Sequence, residues 1–347
     1  MERRVFQYPT TRYSGSKRKF LDWIWSHVRD LKFESVLDVF GGTGSVSLLF
    51  KLHGKRVFYN DLLKFNQIIG IALIENSKIK VSGDDLKKVL TFNGDYPDFI
   101  KREFKDIFFL DEENAWLDKI VTNISRVKDR YKRSILMAGL FQACLAKRPF
   151  NLFHRANLYI RTNSVKRSFG NKTTWERPFP ELFVRYVNEY NKAIFSNGRG
   201  NKVIGGFDAI SAPNNVDLVY MDPPYFSYDS TQGTNYLAFY HFLEGLSDYK
   251  TWHHKINHSR YKTKTLPDTK EIHNFTKKTE IYVSFMKLIE NFQNNIIVLS
   301  YRDEGLPSKD EIIEIIRKYK KKIRVFEKEH RYALSRKIKK ELLFIAK

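Results

Sequence analysis

Residues 35–50, SVLDVFGGTGSVSLLF, combine a short apolar strand, a glycine loop and an apolar helix in direct succession. Gly42 and Gly44 allow the backbone to turn tightly and to bring a ligand against the N-terminus of the helix. This order is typical of the first strand and helix of a nucleotide-type α/β fold, although a plain strand-to-helix turn would need similar glycines. The third glycine of the dinucleotide fingerprint would fall at Ser47, and no Gly-Lys-Ser/Thr follows. Both the dehydrogenase and the P-loop interpretations are therefore weakened.

Short β-branched runs alternate with segments of helical period along much of the chain, which predicts an α/β fold with a parallel sheet flanked by helices. This rhythm disappears between residues 78 and 201, and strands of one sheet are predicted on both sides of that gap. We therefore expect an inserted, mainly helical domain at 78–201, between segments 1–77 and 202–347. The predicted strands are 35–40, 56–60, 216–221, 295–300, 322–327 and 341–346. Apolar stripes at helical spacing, expected to face the core, are Phe20, Ile24, Val28 and Leu31, and Ile281, Phe285, Leu288 and Phe292.

The composition limits the classes of function. The 347 residues carry a formal net charge of +22, which predicts a polyanionic partner and makes nucleic acid the first choice, with scattered solubilising lysines as the alternative. No window approaches about 18 uninterrupted apolar residues and no signal peptide is evident, so we expect a cytoplasmic protein without a membrane segment. The single cysteine, Cys144, excludes an internal disulfide framework and lies in an apolar run typical of a core.

The predicted strand at 216–221 ends directly on Asp222-Pro223-Pro224-Tyr225. In an open α/β sheet, ligands bind beyond the carboxyl ends of the strands, so Asp222 is expected in the same crevice as the glycine loop. The prolines fix the backbone and cannot donate hydrogen bonds, which leaves carbonyl oxygens free to accept them. A carboxylate, a rigid carbonyl and an aromatic ring together suit a planar group with an amino substituent. An ordinary turn after the strand is the alternative.

Asp61 follows the predicted strand at 56–60, about 20 residues beyond the glycine loop, where an acid often binds ribose hydroxyls. Capping of the next helix is the alternative role for this residue.

Together these motifs resemble the amino-directed DNA methyltransferases, specifically the adenine methylases of the DNA adenine methylase type. Residues 222–225 match the Asp-Pro-Pro-Tyr motif of that family in full, and DVFGGTG at 38–44 matches its Phe-x-Gly-x-Gly loop. YSGSK at 13–17 is similar to an N-terminal motif of the family, with Ser16 where glycine is usual. The resemblance implies a Rossmann-like methyltransferase fold, S-adenosylmethionine as the methyl donor, and double-stranded DNA as the substrate.

The resemblance also implies roles for particular residues and segments. It makes 1–77 the cofactor-binding part, 78–201 the target-recognition domain and 202–347 the catalytic part of the protein. Catalysis is expected from Asp222, Pro223, Pro224 and Tyr225, with Tyr225 stacking on an adenine rotated out of the duplex. Lys17 is expected to meet the carboxylate of the donor's methionine moiety. The full set of implied cofactor contacts is Tyr13, Lys17, Asp38, Phe40, Gly42, Gly44, Asp61, Asp208 and Asp222. Asp208 is included because the family often has Gly-Asp-Phe near this position, where this chain has Gly-Phe-Asp at 206–208.

The tract at 147–179 is basic and aromatic, a composition that suits contacts to phosphates and bases, although solvated charges and core rings would explain part of it. The expected DNA-binding residues are Arg148, Arg155, Arg161, Lys166 and Arg167, interleaved with Phe150, Phe153, Tyr159 and Phe169.

Two alternatives to an adenine methylase remain from the sequence. One is a cytosine-N4 methyltransferase, in which the tetrapeptide usually begins with Ser, and the other is an inactive DNA-binding subunit with the same fold. A cognate restriction endonuclease is a candidate partner. His254 and His258 are spaced like two metal ligands on one helix face, but no third ligand is evident and we expect no metal site.

Overall fold

The computed structural model describes residues 6–163, 172–227, 230–331 and 338–347. Its contacts divide the chain into two compact units. The first, here called the sheet unit, comprises Lys17–Gly70, Asn197–Tyr236 and Asp268–Lys347; the second, the helical unit, comprises Met1–Ser16, Ile71–Ser196 and Leu237–Pro267.

One seven-stranded sheet forms the sheet unit, in the order β3-β2-β1-β4-β5-β7-β6. Strands β1 to β5 pair in parallel, whereas β7 runs antiparallel to both β5 and β6. The strands are β1 Ser35–Asp38, β2 Arg56–Tyr59, β3 Lys202–Val203, β4 Leu218–Met221, β5 Ile296–Arg302, β6 Ile323–Arg331 and β7 Ile338–Ala346. The α/β prediction is confirmed, and each predicted strand occurs within a few residues of its expected bounds, while β3 was not predicted.

Helices flank the sheet and make up most of the helical unit. In chain order they are α1 Leu21–Val28, α2 Ser45–Leu52, α3 Lys64–Gly70, α4 Gly83–Leu90, α5 Phe99–Glu103, α6 Asp111–Ser125, α7 Arg130–Lys147, α8 Tyr159–Thr162, α9 Lys172–Glu176, α10 Phe179–Ala193, α11 Tyr236–Ser247, α12 Lys270–Thr276, α13 Ile281–Asn291 and α14 Lys309–Arg317. A π-helical turn spans Ile71–Glu75, and 3₁₀ turns span Lys17–Phe20, Pro149–Asn151, Ala209–Ser211, Trp252–His254 and His258–Arg260.

The register of the sheet determines where its polar residues emerge. Asp38, the last residue of β1, lies beside Tyr59 of β2 and Tyr220 of β4. Asp61 and Asp222 each follow two residues after those partners. Since parallel strands end at the same edge, the three acids and the glycine loop all lie at the carboxyl edge of the sheet.

The core of the sheet unit lies between the strands and the apolar faces of the helices. Leu37, Val219 and Ile297 on three neighbouring strands belong to one buried cluster with Phe285 and Leu288 of α13. Both predicted apolar stripes are buried, as the helical spacing required.

The helical unit is built around α7, whose residues from Ser134 to Lys147 are all buried. Helix α10 crosses it closely, because a Cβ on Gly139 would come within 2.5 Å of Val187 Cγ2. Cys144 lies on α7 and is fully buried, which confirms its prediction as a core residue. The unit takes in Leu237–Pro267 as well, a segment that the sequence assigned to the catalytic part. In the described parts of the chain, no helix has the length and apolar character needed to cross a membrane.

Candidate active site

The glycine loop after β1 is held by residues that follow β2. Gly42 and Gly44 have φ values of 51° and 71°, in the left-handed region that favours glycine, and Gly44 precedes the first turn of α2. The Gly42 N–H donates a hydrogen bond to Asp61 Oδ2 at 2.8 Å, and Oδ1 of the same carboxylate accepts from the Leu63 N–H at 2.8 Å. Asp61 therefore fixes the shape of the loop as well as the start of the segment that leads to α3.

The buried side chain of Tyr59 supports the glycine loop. The Tyr59 hydroxyl donates a hydrogen bond to the Gly42 carbonyl oxygen at 2.7 Å. A Cβ on Gly41 would come within 2.2 Å of the ring, and a Cβ on Gly70 would come within 2.6 Å of its other edge. Glycine is thus required at both positions to admit this side chain.

Asp38 presents an unsatisfied carboxylate oxygen at the end of β1. Its side chain is 1% exposed, and Ser47 Oγ donates a hydrogen bond to Oδ2 at 2.6 Å. Oδ1 is buried and has no hydrogen-bond partner among the described residues. Burial raises the pKa of Asp38 to about 7, since the Ser47 hydrogen bond only partly offsets it and the nearby charges of Asp222 and Asp61 add to it. An acceptor that is buried and unsatisfied is suited to a ligand donor.

Asp222 is paired with a buried lysine, and both lie beside a second carboxylate. Lys17 Nζ is 2.9 Å from Asp222 Oδ1 and 3.1 Å from Glu341 Oε1, and it also donates to the Tyr225 hydroxyl. Burial alone would lower the pKa of Lys17, but Asp222 and Glu341 outweigh it and raise that pKa well above its usual value. Burial raises the pKa of Asp222 to about 6, with Lys17 acting against this shift and Glu341 reinforcing it.

Sequence reasoning missed Glu341. It enters the cluster because β7 runs antiparallel to β5, which places Glu341 opposite Arg302 at the carboxyl edge of the parallel strands. One sequence signal could have indicated Glu341, because it is an acid at the start of the apolar run at 341–346. A charged residue at the start of a buried strand needs a partner of opposite charge or a hydrogen-bond donor.

The Tyr225 ring is mostly buried, at 8% exposed, and meets Tyr301 edge to face with ring centroids 5.4 Å apart. Its hydroxyl contacts Lys17 and Glu341 and also forms a hydrogen bond with Asp222. Pro223 is also buried, and Pro224 is partly so.

The remaining predicted cofactor contacts are more dispersed. Phe40 packs edge to face against Phe275 with centroids 5.2 Å apart. Asp208 accepts hydrogen bonds from the Asn274 side chain at 2.7 Å and from the backbone of the 3₁₀ turn that it begins. Tyr13 belongs to the helical unit, where it stacks on Tyr240 with centroids 4.5 Å apart.

Two of the predicted DNA contacts are instead internal to the helical unit. Arg148 is 1% exposed, and its guanidinium donates to the carbonyl oxygens of Leu152 at 3.0 Å, Arg155 at 2.6 Å and Ala156 at 2.7 Å. Since these bonds hold the loop after α7, the structure corrects the prediction that Arg148 contacts DNA.

Arg161 is likewise bound inside the unit. Its guanidinium donates two hydrogen bonds, of 2.8 and 2.7 Å, to the Glu113 carboxylate, and its side chain is only 6% exposed. Lys147 Nζ lies 2.6 Å from the same carboxylate. The DNA-contact prediction for Arg161 is corrected for the same reason. Arg155 is exposed, and Lys166 and Arg167 lie outside the described residues.

The loop clamped by Arg148 exposes an aromatic ring. Phe150 has φ of 61° and is 57% exposed, although Pro149 and Phe153 beside it are buried. A bulky residue in left-handed backbone is a strained arrangement that persists only when its surroundings enforce it. Tyr159, farther along the same tract, is 61% exposed.

Within the described residues, no group of three or more His, Cys, Asp or Glu side chains is placed to hold a metal ion.

Comparison with known proteins accords with these features. The sequence model of the D12 class N6 adenine-specific DNA methyltransferases matches residues 13–315. The chain is 28% identical to the type II methyltransferase M2.HphI of Haemophilus parahaemolyticus, across 98% of both chains. It is 24% identical to the type II methyltransferase M.NlaIII of Neisseria lactamica, across 89% of this chain and 88% of that one. The resemblance inferred from the motifs is confirmed, with adenine rather than cytosine as the target base. The chain belongs to the D12 class of N6 adenine-specific DNA methyltransferases.

Proposed function

We propose that this enzyme transfers a methyl group from S-adenosylmethionine to the N6 amine of an adenine rotated out of double-stranded DNA, with Asp222 as the residue that receives the amine. The observation that carries this proposal is the position of Asp222 at the same sheet edge as the glycine loop and Asp38. The reaction class follows from the family, whereas the donor and the roles of the residues are inferences from geometry and charge.

The residues at this edge fit the proposed donor. The unsatisfied Oδ1 of Asp38 is an acceptor for an ammonium or hydroxyl group. Asp61 accepts hydrogen bonds from two backbone N–H groups and from the Asn66 side chain, and an ionised carboxylate has about four acceptor positions, which leaves room for a further donor. Gly42 and Gly44 leave the loop without side chains that would block a ligand at the start of α2. When bound, the donor supplies an electrophilic methyl group on a positively charged sulfur.

For Lys17 we propose a role at the target amine in place of the expected contact with the donor's carboxylate. Its ion pairs with Asp222 and Glu341 support a function at the target amine rather than at the donor's carboxylate. A buried ammonium next to Asp222 favours the ionised carboxylate, which is the form that accepts hydrogen bonds from an amine.

Asp222 and the Pro223 carbonyl are proposed to accept the two hydrogens of the adenine amine. Such hydrogen bonds favour a tetrahedral nitrogen, localise its lone pair and stabilise the positive charge that develops as the N–C bond forms. The nitrogen must then lose one proton. Asp222, with its pKa raised to about 6, is a base suited to receive it near neutral pH.

Recognition of the DNA is proposed to fall to the helical unit, with Arg155, Phe150 and Tyr159 as contacts. Their exposure supports this role, and so does the net charge of +22. An exposed ring held in strained backbone gains nothing within the protein, and aromatic rings stack readily on bases that have left the duplex. Rotating a base out costs a few kcal/mol, which such contacts offset.

The test is methyl transfer by Asp222→Ala and Asp222→Asn variants, measured as tritium moved from labelled S-adenosylmethionine to DNA. We expect a fall of at least about 1,000-fold, because the loss removes both the orienting and the electrostatic contribution. Asp217→Asn is the matched control, since Asp217 flanks the opposite end of the same strand and binds the backbone of Glu34 and Ser35. Normal turnover by the Asp222 variants would refute the assignment. No transfer by the unaltered protein would instead favour an inactive subunit.

The type II relatives suggest a biological setting, which we propose as protection of DNA in a restriction–modification system. DNA from cells that express the protein is expected to carry N6-methyladenine in one sequence motif and to resist an endonuclease that cuts there. Methyladenine scattered over unrelated sequences would contradict this setting.

A further inference from the structure

Glu341 is a buried carboxylate to which the proposed chemistry gives no role. It is 1% exposed in β7, next to the apolar residues Leu342 and Leu343. Taking a carboxylate out of water costs several kcal/mol unless it is well paired, so an apolar residue would suit the strand better if packing alone mattered. Its presence in this strand therefore needs an explanation in the contacts that it makes.

The contacts of Glu341 come from three separate elements. Ser300 of β5 donates a hydrogen bond to Oε1 at 2.6 Å, Lys17 Nζ lies 3.1 Å from Oε1, and the Tyr225 hydroxyl lies 3.1 and 3.3 Å from the two oxygens. Glu341 thus contacts the lysine that pairs with Asp222 and the ring that follows it in the Asp-Pro-Pro-Tyr segment. Ser300 adds a further hydrogen bond to Oε1, the oxygen that Lys17 also contacts.

The balance of charge around Asp222 depends on this contact. The charged and titratable groups that face Asp222 are Lys17 from the 3₁₀ turn, Glu341 from β7, the Tyr225 and Tyr220 hydroxyls, and Asp38 at the end of β1. Lys17 is the cation that contacts this group, and it is shared between Asp222 and Glu341. Without Glu341, the whole ammonium would turn to Asp222 and compete with the adenine amine for its oxygens.

We propose that Glu341 is a positioning residue for methyl transfer, which shares Lys17 and the Tyr225 hydroxyl with Asp222 and so keeps these two groups from binding the Asp222 carboxylate alone, where they would compete with the amine. This inference rests on the proposed role of Asp222. Glu341 is buried, so it acts through its neighbours and leaves the binding of DNA unchanged.

The test is Glu341→Gln, an exchange that keeps the shape and removes the charge. We expect kcat to fall about 10- to 100-fold, as for the loss of one hydrogen bond to a charged group, with KM for DNA unchanged. Glu341 raises the pKa of Asp222, so its removal is expected to move the acid limb of the kcat profile to lower pH. Glu327→Gln on β6 is the matched control, because Glu327 pairs with Lys309 and Lys340 away from the cluster. It should match the unaltered enzyme in rate and profile.

A lowered kcat with an unmoved acid limb would show a merely structural role and overturn the proposal, as would an unchanged kcat. If Glu341→Gln does not fold, Ser300→Ala decides, since it keeps the charge and removes the bond that orients it. A lowered kcat at an unchanged thermal midpoint then supports positioning, and an unchanged kcat overturns it. Asp222→Asn is assayed in parallel. Full activity there defeats the proposed function itself, whereas an inactive Asp222→Asn beside a normal Glu341→Gln defeats this inference alone.

Discussion

Replacing Lys17 with methionine tests the ionic cluster directly. Methionine has an unbranched chain of similar length, so the space stays filled while the charge is lost. The buried Glu341 and the largely buried Asp222 would then lie together without the cation that now lies 3.1 and 2.9 Å from them. Removing one partner of a buried ion pair typically costs about 3–5 kcal/mol, and we expect a loss of that size in the free energy of unfolding at pH 8.

The pH dependence of this loss has a definite sign. Without Lys17 the pKa of Asp222, which is already raised by burial, rises further above its unfolded value of about 4, so the folded state binds more protons than the unfolded state. Stability of the variant therefore falls as pH rises through that interval. Relative to the unaltered protein, the deficit in the free energy of unfolding should be greatest near pH 8 and smallest near pH 4, where Asp222 is neutral.

Urea unfolding followed by tryptophan fluorescence at pH 4, 6 and 8 measures this difference. Lys309→Met is the matched control, because the exposed pair of Lys309 with Glu327 is worth less than about 1 kcal/mol. If Lys17→Met unfolded within about 1 kcal/mol of the unaltered protein at pH 8, with no trend across pH, the cluster would not carry the energy assigned to it.

Four further outcomes follow from the site. Gly41→Ala places a Cβ within the buried ring of Tyr59 and should lower the free energy of unfolding in urea by about 1–3 kcal/mol. In the control Gly83→Ala, no atom lies within 4 Å of the added carbon, and stability should change by less than about 0.5 kcal/mol. Equal urea midpoints for the two variants would contradict the contact with Tyr59. Asp38 has a raised pKa, so its ionised form destabilises the fold at pH 8, and Asp38→Asn should raise the thermal midpoint there. Calorimetry should show that the same variant binds S-adenosylmethionine more weakly. Unchanged binding would show that Asp38 does not contact the donor. Phe150→Ala should weaken DNA binding by about 1–3 kcal/mol in a fluorescence titration and leave the thermal midpoint unchanged, since the ring is 57% exposed; equal affinity would exclude stacking. The rate of methyl transfer should fall below pH 6 as Asp222 gains a proton, and a flat profile down to pH 5 would show that this carboxyl need not be ionised.

Much of the sheet and the centre of the site were predictable, because their signals are local in the chain. A β-branched run followed by glycines, or by Asp-Pro-Pro-Tyr, specifies a strand and the group at its end within about ten residues. The edge that joins Asp38, Asp61 and Asp222 then follows from the rule that parallel strands end together.

The features that were missed depend on pairing between distant segments. Strand β3 has two residues, too few for any periodic signal. Glu341 reaches the site through the antiparallel insertion of β7 between β5 and β6, an order that no local pattern reveals. Arg148 and Arg161 were taken for surface charges because composition does not tell whether a guanidinium finds its acceptors inside the fold.

The placement of β7 also bears on how the protein is made. Lys17 is synthesised well before its partner Glu341 in β7, because the two residues lie far apart along the chain. A nascent chain can pair β1, β2 and β4 while the ammonium still lacks one of its two carboxylates, so the proposed reaction centre is completed only when β7 inserts between β5 and β6. Newly synthesised molecules should thus acquire stable secondary structure before they become competent to modify DNA.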